Sequence, residues 1–210
     1  FASLPKKGIK GHAYYTKPRT KAADNEAVYR YPNGQEAAPI WFHDHLLGGT
    51  RLNVYAGLAG AYPIIDPGLT LPTGLHPIGL QRGSDVDFLI PLVVQDRMFD
   101  INGQLFFPNI GINPEHPFWI PEFEGDTIAV NGKVWPFLNV QPKRYRFLFI
   151  NGSNARAYEM FLVDRVTGVM GPPIWQIATD GGYLDVPVKI DPNAVGQLQK
   201  LVLQPGERAD

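Results

Sequence analysis

Cysteine is absent from the 210 residues. This excludes a disulfide, a thiolate metal ligand and a cysteine nucleophile within the chain, and it leaves the redox compartment unread. An excess of one charge is missing as well. Lys and Arg number 19 against 20 Asp and Glu, with no basic stripe or acidic tail, so neither nucleic acid nor another polyanion is expected as a partner. No apolar run approaches a membrane span, and Phe1-Ala2-Ser3-Leu4-Pro5-Lys6-Lys7-Gly8 holds no apolar core of signal-peptide length. The chain as given therefore reads as soluble, with no membrane partner. It begins without Met, which is the pattern of a processed or truncated product. Internal repeats, low-complexity tracts and sustained helical periodicity are also lacking.

What is there is apolar, aromatic and turn-rich: 44% hydrophobic and 12% aromatic residues, enough for a sizeable core, with Gly 22 and Pro 20 favouring short strands joined by turns. Residues 1 to 38 are polar and irregular, apart from a short strand at Tyr29-Arg30-Tyr31 that runs into the turn Pro32-Asn33-Gly34. Strands are expected at Ile40 to His45 and within Asn53 to Asp66, where Gly57 and Gly60 would let backbones approach closely. Pro and Gly then accumulate, and a linker is expected at 67–86 between a module at 1–66 and a second at 87–210. The second module opens with the buried-strand pattern Asp87 to Arg97. Its further strands are Thr127 to Val130, Arg144 to Ile150, Ala157 to Val163, Trp175 to Ala178 and Leu198 to Leu203, the one at Arg144 entering a core from a sheet edge. Such spacing means an all-β sandwich. The last residues, Gln204 to Asp210, form a turn after which a further strand is expected, so an open strand edge and self-association across it are expected too.

The densest chemistry lies at Trp41-Phe42-His43-Asp44-His45. Residues i and i+2 of a strand share a face, so His43 and His45 would present two imidazoles side by side with Asp44 turned away. Either the pair ligates a metal, with copper, zinc and nickel all suited to imidazole nitrogen, or the two rings satisfy hydrogen bonds in a half-buried aromatic strand. Asp44 reads as a charge facing solvent or an arginine, the alternative being a hydrogen bond that orients a ligand. His12, His76 and His116 stand alone and read as ordinary packed or exposed residues. Asp85, Asp87, Asp96 and Asp100 match no calcium-loop spacing, and Ser84 and Ser153 sit in no nucleophile-elbow sequence. Arg51, Arg144, Arg146 and Arg156 are expected to tie loops to carboxylates and carbonyls.

The pair with its sequel, Gly48-Gly49-Thr50-Arg51-Leu52-Asn53-Val54-Tyr55-Ala56-Gly57-Leu58-Ala59-Gly60-Ala61-Tyr62, closely resembles the second histidine motif of multicopper oxidases, in the branch of spore-coat laccases and bilirubin oxidases. The likeness continues in Asp96-Arg97, Gly125 to Pro136, Pro142 to Phe147, Asn151 to Arg156, Thr179 to Gly182 and Pro205 to Asp210, which look like the second cupredoxin domain of that branch. The resemblance implies a cupredoxin-like Greek-key β-sandwich, with the end of a first domain at 1–66 and most of a second at 87–210. It also implies a copper oxidase of phenols, anilines or a tetrapyrrole such as bilirubin, with dioxygen as the other substrate and water as its product. In the family both histidines of this motif bind the type 3 copper pair, so the carried-over ligands are His43 and His45. Copper suits the task because it cycles between two oxidation states on imidazole ligands. An extracytoplasmic or spore-coat-like setting for the parent follows from the resemblance alone.

Three departures qualify that reading. The remaining histidine motifs belong to parts of the family's chain not represented here, and without cysteine a type 1 copper site of the family kind cannot form. Lys10 stands where relatives often carry an acid. The competing expectation for the isolated chain is a non-catalytic cupredoxin-like module that binds metal weakly or not at all.

Overall fold

The computed structural model describes residues 31–66, 89–108, 122–142, 144–196 and 198–210. The expected linker at 67–86, together with Lys10, His12, His76, Asp85, Asp87 and His116, lies outside the described residues. The chain groups into two units, Phe1–Gln35 and Glu36–Asp210. In the described part of the first, residues 31–35, no strand forms, and the turn expected there shows in Asn33 at φ 51°.

The second unit starts with a small hairpin. Strands β1 (Trp41–His43) and β2 (Ala59–Ala61) pair antiparallel, with Trp41 opposite Ala61, Phe42 opposite Gly60 and His43 opposite Ala59. A bridge between Ala38 and Ile64 extends the pairing. Between the two strands comes a helical segment, α1 (Thr50–Tyr55), whose end overlaps the stretch Asn53 to Asp66 within which a strand was expected. The apolar residues of that stretch bury only Val54 and Tyr55, neighbours on one side of a six-residue turn of helix. Gly57 then ends it at φ 107°, a left-handed conformation that costs glycine little. The two glycines therefore work differently from the close backbone approach expected of them. A side chain at Gly57 would meet nothing within 4 Å, whereas one at Gly60 would strike the Phe42 ring at 2.7 Å. Gly60 is the floor on which the opposite Phe42 lies.

The main sheet follows from a nearly continuous apolar run. Strand β3 (Leu89–Arg97) is buried along most of its length and lies parallel to β6 (Arg146–Asn151) and antiparallel to β4 (Thr127–Val130). With β5 (Lys133–Val134) and β11 (Arg208–Ala209) the order is β11-β6-β3-β4-β5. The β4–β5 turn carries Asn131 at φ 50° and Gly132 at φ 78°, the pair of left-handed residues a tight hairpin requires. Two further pairs complete the architecture: β7 (Tyr158–Met160) with β10 (Leu201–Leu203), and β8 (Ile174–Thr179) with β9 (Gly182–Ile190). Ile190, Leu201, Leu203 and Ala209 form the core, joined by Phe149, Met160, Ile174 and Val188. The three sheets thus close over one apolar interior, the all-β sandwich expected from the strand spacing.

Several elements were not legible as strands. Pro187 argues against β9, yet it falls where the β8–β9 register shifts past Gln176, so the absent N–H interrupts no regular ladder. Strands β5 and β11 are two residues each, too short for an alternation to show. Strand β6 runs inside the sheet, not inward from its edge. Its first residue, Arg146, is buried with Nε and one terminal nitrogen of its guanidinium donating to the Asp210 carboxylate, and that terminal nitrogen also to the Tyr183 hydroxyl at 2.6 Å, while the other terminal nitrogen has no partner among the described residues.

Candidate metal centre

The two histidines do come together. His43 ends β1 half-buried, and His45 stands exposed in the following loop, with ring centroids 4.1 Å apart and planes inclined by 30°. Strand geometry reaches only the first of them, so the side-by-side arrangement rests on the loop as well as on the pleat. Trp41, two residues back on the same face, places its ring centroid 4.5 Å from that of His43.

That loop is fastened through Asp44. Its N–H donates to the Leu58 carbonyl at 3.2 Å, extending the hairpin by one residue. Its carboxylate Oδ2 accepts from the Leu46 N–H and from the Asn53 amide, each at 3.0 Å. These bonds, the Asn53 amide first, hold the Asp44 carboxyl below the usual carboxylate range. The partner expected for Asp44 was solvent or an arginine; instead α1 turns back and supplies an amide. Nine residues separate Asp44 from Asn53, a spacing with no meaning until the Leu46–Gly49 turn and α1 fold between them. The chain carried no other signal for Asn53.

The Asp44 carbonyl also sits 2.8 Å from Nδ1 of His43. A carbonyl can only accept, so this bond needs the hydrogen on Nδ1, which in the neutral ring leaves the lone pair on Nε2. This is the common arrangement of a metal-binding imidazole, whose second nitrogen is tied to a carbonyl or carboxylate. The donor set therefore suits a late first-row metal ion at Nε2 of His43, with His45 as an exposed neighbour. Two imidazoles do not complete a coordination sphere, and among the described residues no group of three His, Cys, Asp or Glu side chains converges on a metal position. An open cleft of about 430 Å³ runs past His43, lined also by Trp41, Arg51, Val54, Phe107 and Phe123.

The hairpin is joined to the main sheet by Tyr55. Its buried hydroxyl accepts from the Met98 N–H at 2.8 Å and donates to the Phe106 carbonyl at 2.6 Å, and burial raises its pKa. Arg97 lies over the Tyr55 ring at 5.0 Å, and Arg208 donates to the Pro39 carbonyl at 3.0 Å. The other candidates are scaffold. Asp96, 1% exposed, accepts from the Gly125 N–H at 2.5 Å and pairs with Arg156 at 3.2 Å. Asp100 caps a turn at the Asn102 and Gln104 N–H groups, and the Ser153 hydroxyl bonds to the Asp96 N–H and to Tyr158. Arg146 and Arg156 tie carboxylates and carbonyls, as expected of them. No helix of the described residues is long and apolar enough to cross a membrane.

A strand sandwich with one parallel pair, carrying a His-X-His edge on a hairpin, defines an all-β cupredoxin-like protein. No family model matches the chain. It is 43% identical over 187 residues to a laccase of Bacillus subtilis (strain 168), a match covering 87% of this chain and 32% of the relative. It is 40% identical over 206 residues to the multicopper oxidase LPR1 homolog 3 of Oryza sativa subsp. japonica, covering 95% of this chain and 34% of that protein. Among solved structures, the McoA multicopper oxidase of the hyperthermophile Aquifex aeolicus matches with a TM-score of 0.61 and 32% identity, over 83% of this chain and 33% of that one. The chain belongs to the multicopper oxidase family, and it spans about a third of the length of these relatives. Copper is the cofactor that these relatives imply.

Proposed function

We propose that this chain is a portion of a laccase-like multicopper oxidase, and that it contributes the imidazoles of His43 and His45 to the oxidase's copper cluster as type 3 ligands. The observation that carries the reading is the His43 ring, its Nδ1 tied to the Asp44 carbonyl and its Nε2 left bare, 4.1 Å from the His45 ring. Copper in such a cluster supplies one-electron chemistry, so that four single-electron oxidations of a phenolic or tetrapyrrole substrate, with four protons, reduce one dioxygen to two waters. The chain's own contribution is to hold two ligand rings at the end of β1 and to fix the hairpin that bears them against the main sheet through Tyr55 and Arg208. Family membership favours this reading over a non-catalytic module.

In domain terms, residues 1–66 would close a first cupredoxin-like domain, 67–86 would link, and 87–210 would form most of a second. That the β1–β2 hairpin shares no strand pairing with the five-stranded sheet that opens at Leu89 supports the division. Self-association through strand edges and an extracytoplasmic setting belong to the same proposal. The test uses the complete parent protein and dioxygen-dependent oxidation of a phenolic dye. Turnover should vanish with His43→Ala plus His45→Ala, and turnover that survives would refute the histidine-centred mechanism.

A further inference from the structure

Asp44 is held at three points, and each is a different kind of bond. The Leu58 carbonyl takes its N–H at 3.2 Å; the Leu46 N–H and the Asn53 amide both donate to its Oδ2 at 3.0 Å. The first sets the peptide before Asp44, and the other two set its side chain and the turn that follows. What remains is the Asp44 carbonyl, which these bonds aim at His43 Nδ1, 2.8 Å away. The turn is braced in turn by α1, since Thr50 Oγ1 and the Thr50 N–H both reach the Leu46 carbonyl at 2.9 Å.

We propose that Asn53 and Asp44 form a positioning clamp that fixes the tautomer of His43, so that Nε2 and not Nδ1 is offered to a metal. The inference rests on the reading of His43 as a ligand, but the clamp acts before any metal arrives. Neutral imidazole in water favours the hydrogen on Nε2, the wrong nitrogen for this geometry. The Asp44 carbonyl reverses that preference by accepting from Nδ1, and it can do so only while its peptide plane is held. Asn53 lies half-buried on α1, and among the described residues its side-chain amide donates to Asp44. Without that amide, Oδ2 keeps only the Leu46 N–H, the Asp44 peptide gains freedom to rotate, and His43 loses its fixed acceptor. Asn53 and Asp44 are thus positioning residues, acting on the metal through the hydrogen on a neighbouring ring.

The test is nitrogen-15 NMR of the metal-free chain at a pH where imidazole is neutral, with long-range correlations reporting which ring nitrogen of His43 is protonated. The native chain should show the hydrogen on Nδ1. Asn53→Ala should move the signals toward the Nε2-protonated form, with the β1–β2 amide shifts retained to show that the hairpin stays folded. Asn53→Leu, which keeps more of the volume but has no donor, should do the same and serves if the alanine variant does not fold. Cupric ion titrated into each, followed by quenching of tryptophan fluorescence, should bind about tenfold more weakly to the variants. A native His43 tautomer in the folded variants would overturn the clamp whatever copper does. Unchanged copper content of the complete parent protein after His43→Ala would instead overturn the ligand reading, and the tautomer measurement would still decide the clamp.

Discussion

The loop from His43 to Leu58 and the end of β6 at Ile150 and Asn151 are both fixed by hydrogen bonds around one polar side chain, but they are built for different ends. Asn151 is fully buried, and its amide donates to the Leu203 and Arg156 carbonyls at 2.9 and 2.8 Å while its Oδ1 accepts from the Ser153 N–H at 3.0 Å. It ties three chain segments inside a packed sandwich, where an unmet polar group would cost about 1 to 3 kcal/mol. Asp44 makes a similar number of bonds at a half-exposed hairpin, beside an exposed His45 and next to Leu46 and Leu47, which are 47% and 100% exposed. Its bonds shape the edge that carries the proposed ligands and bury almost nothing. On the proposed function, stability and chemistry are divided between the two regions, and substitutions should expose the division.

The largest effect is expected from Ile150→Ala. Ile150 is fully buried at the centre of the main sheet, so the change should lower the unfolding free energy by about 4 kcal/mol, from lost transfer energy and the cavity left behind. Urea denaturation measures it. In the folded fraction the His43 environment should be unchanged, and a shifted His43 resonance there would blur the division. Asp96→Ala comes next. It leaves the Gly125 N–H and Arg156 without their carboxylate, but Arg156 is 31% exposed and keeps the Gly125 carbonyl. The loss should therefore sit near the low end for a broken buried pair, about 3 kcal/mol. A loss under about 1 kcal/mol would mean that Asp96 is a bystander, with water replacing it.

How much of this was legible in the sequence follows the same division. The long apolar run of β3, the Thr127–Val130 strand and the Asn131-Gly132 turn could be read directly, because burial on both faces and left-handed turn residues leave a mark on composition. The short strands β5 and β11 and the proline-bearing β9 left none, since their pairing is decided by what lies across the sheet. At the site, His43 and His45 were visible as spacing, while Asn53 was not. Its role depends on a six-residue helix overlapping a stretch that reads as strand, and on a contact nine residues back. Tyr55 was hidden for a similar reason: its partners, Met98 and Phe106, lie more than forty residues away.

The smallest expected effect on stability belongs to the histidines themselves, and it gives the central claim its most direct test. His43→Ala plus His45→Ala removes a half-buried and an exposed ring and no core contact, so the unfolding midpoint should move by no more than about 0.5 kcal/mol equivalent. Copper retained per chain after equilibrium dialysis should be measured for the native and doubly substituted proteins side by side. In the complete parent protein, the account predicts less copper per chain after the double substitution than before it, at unchanged stability. Equal copper on both would contradict it.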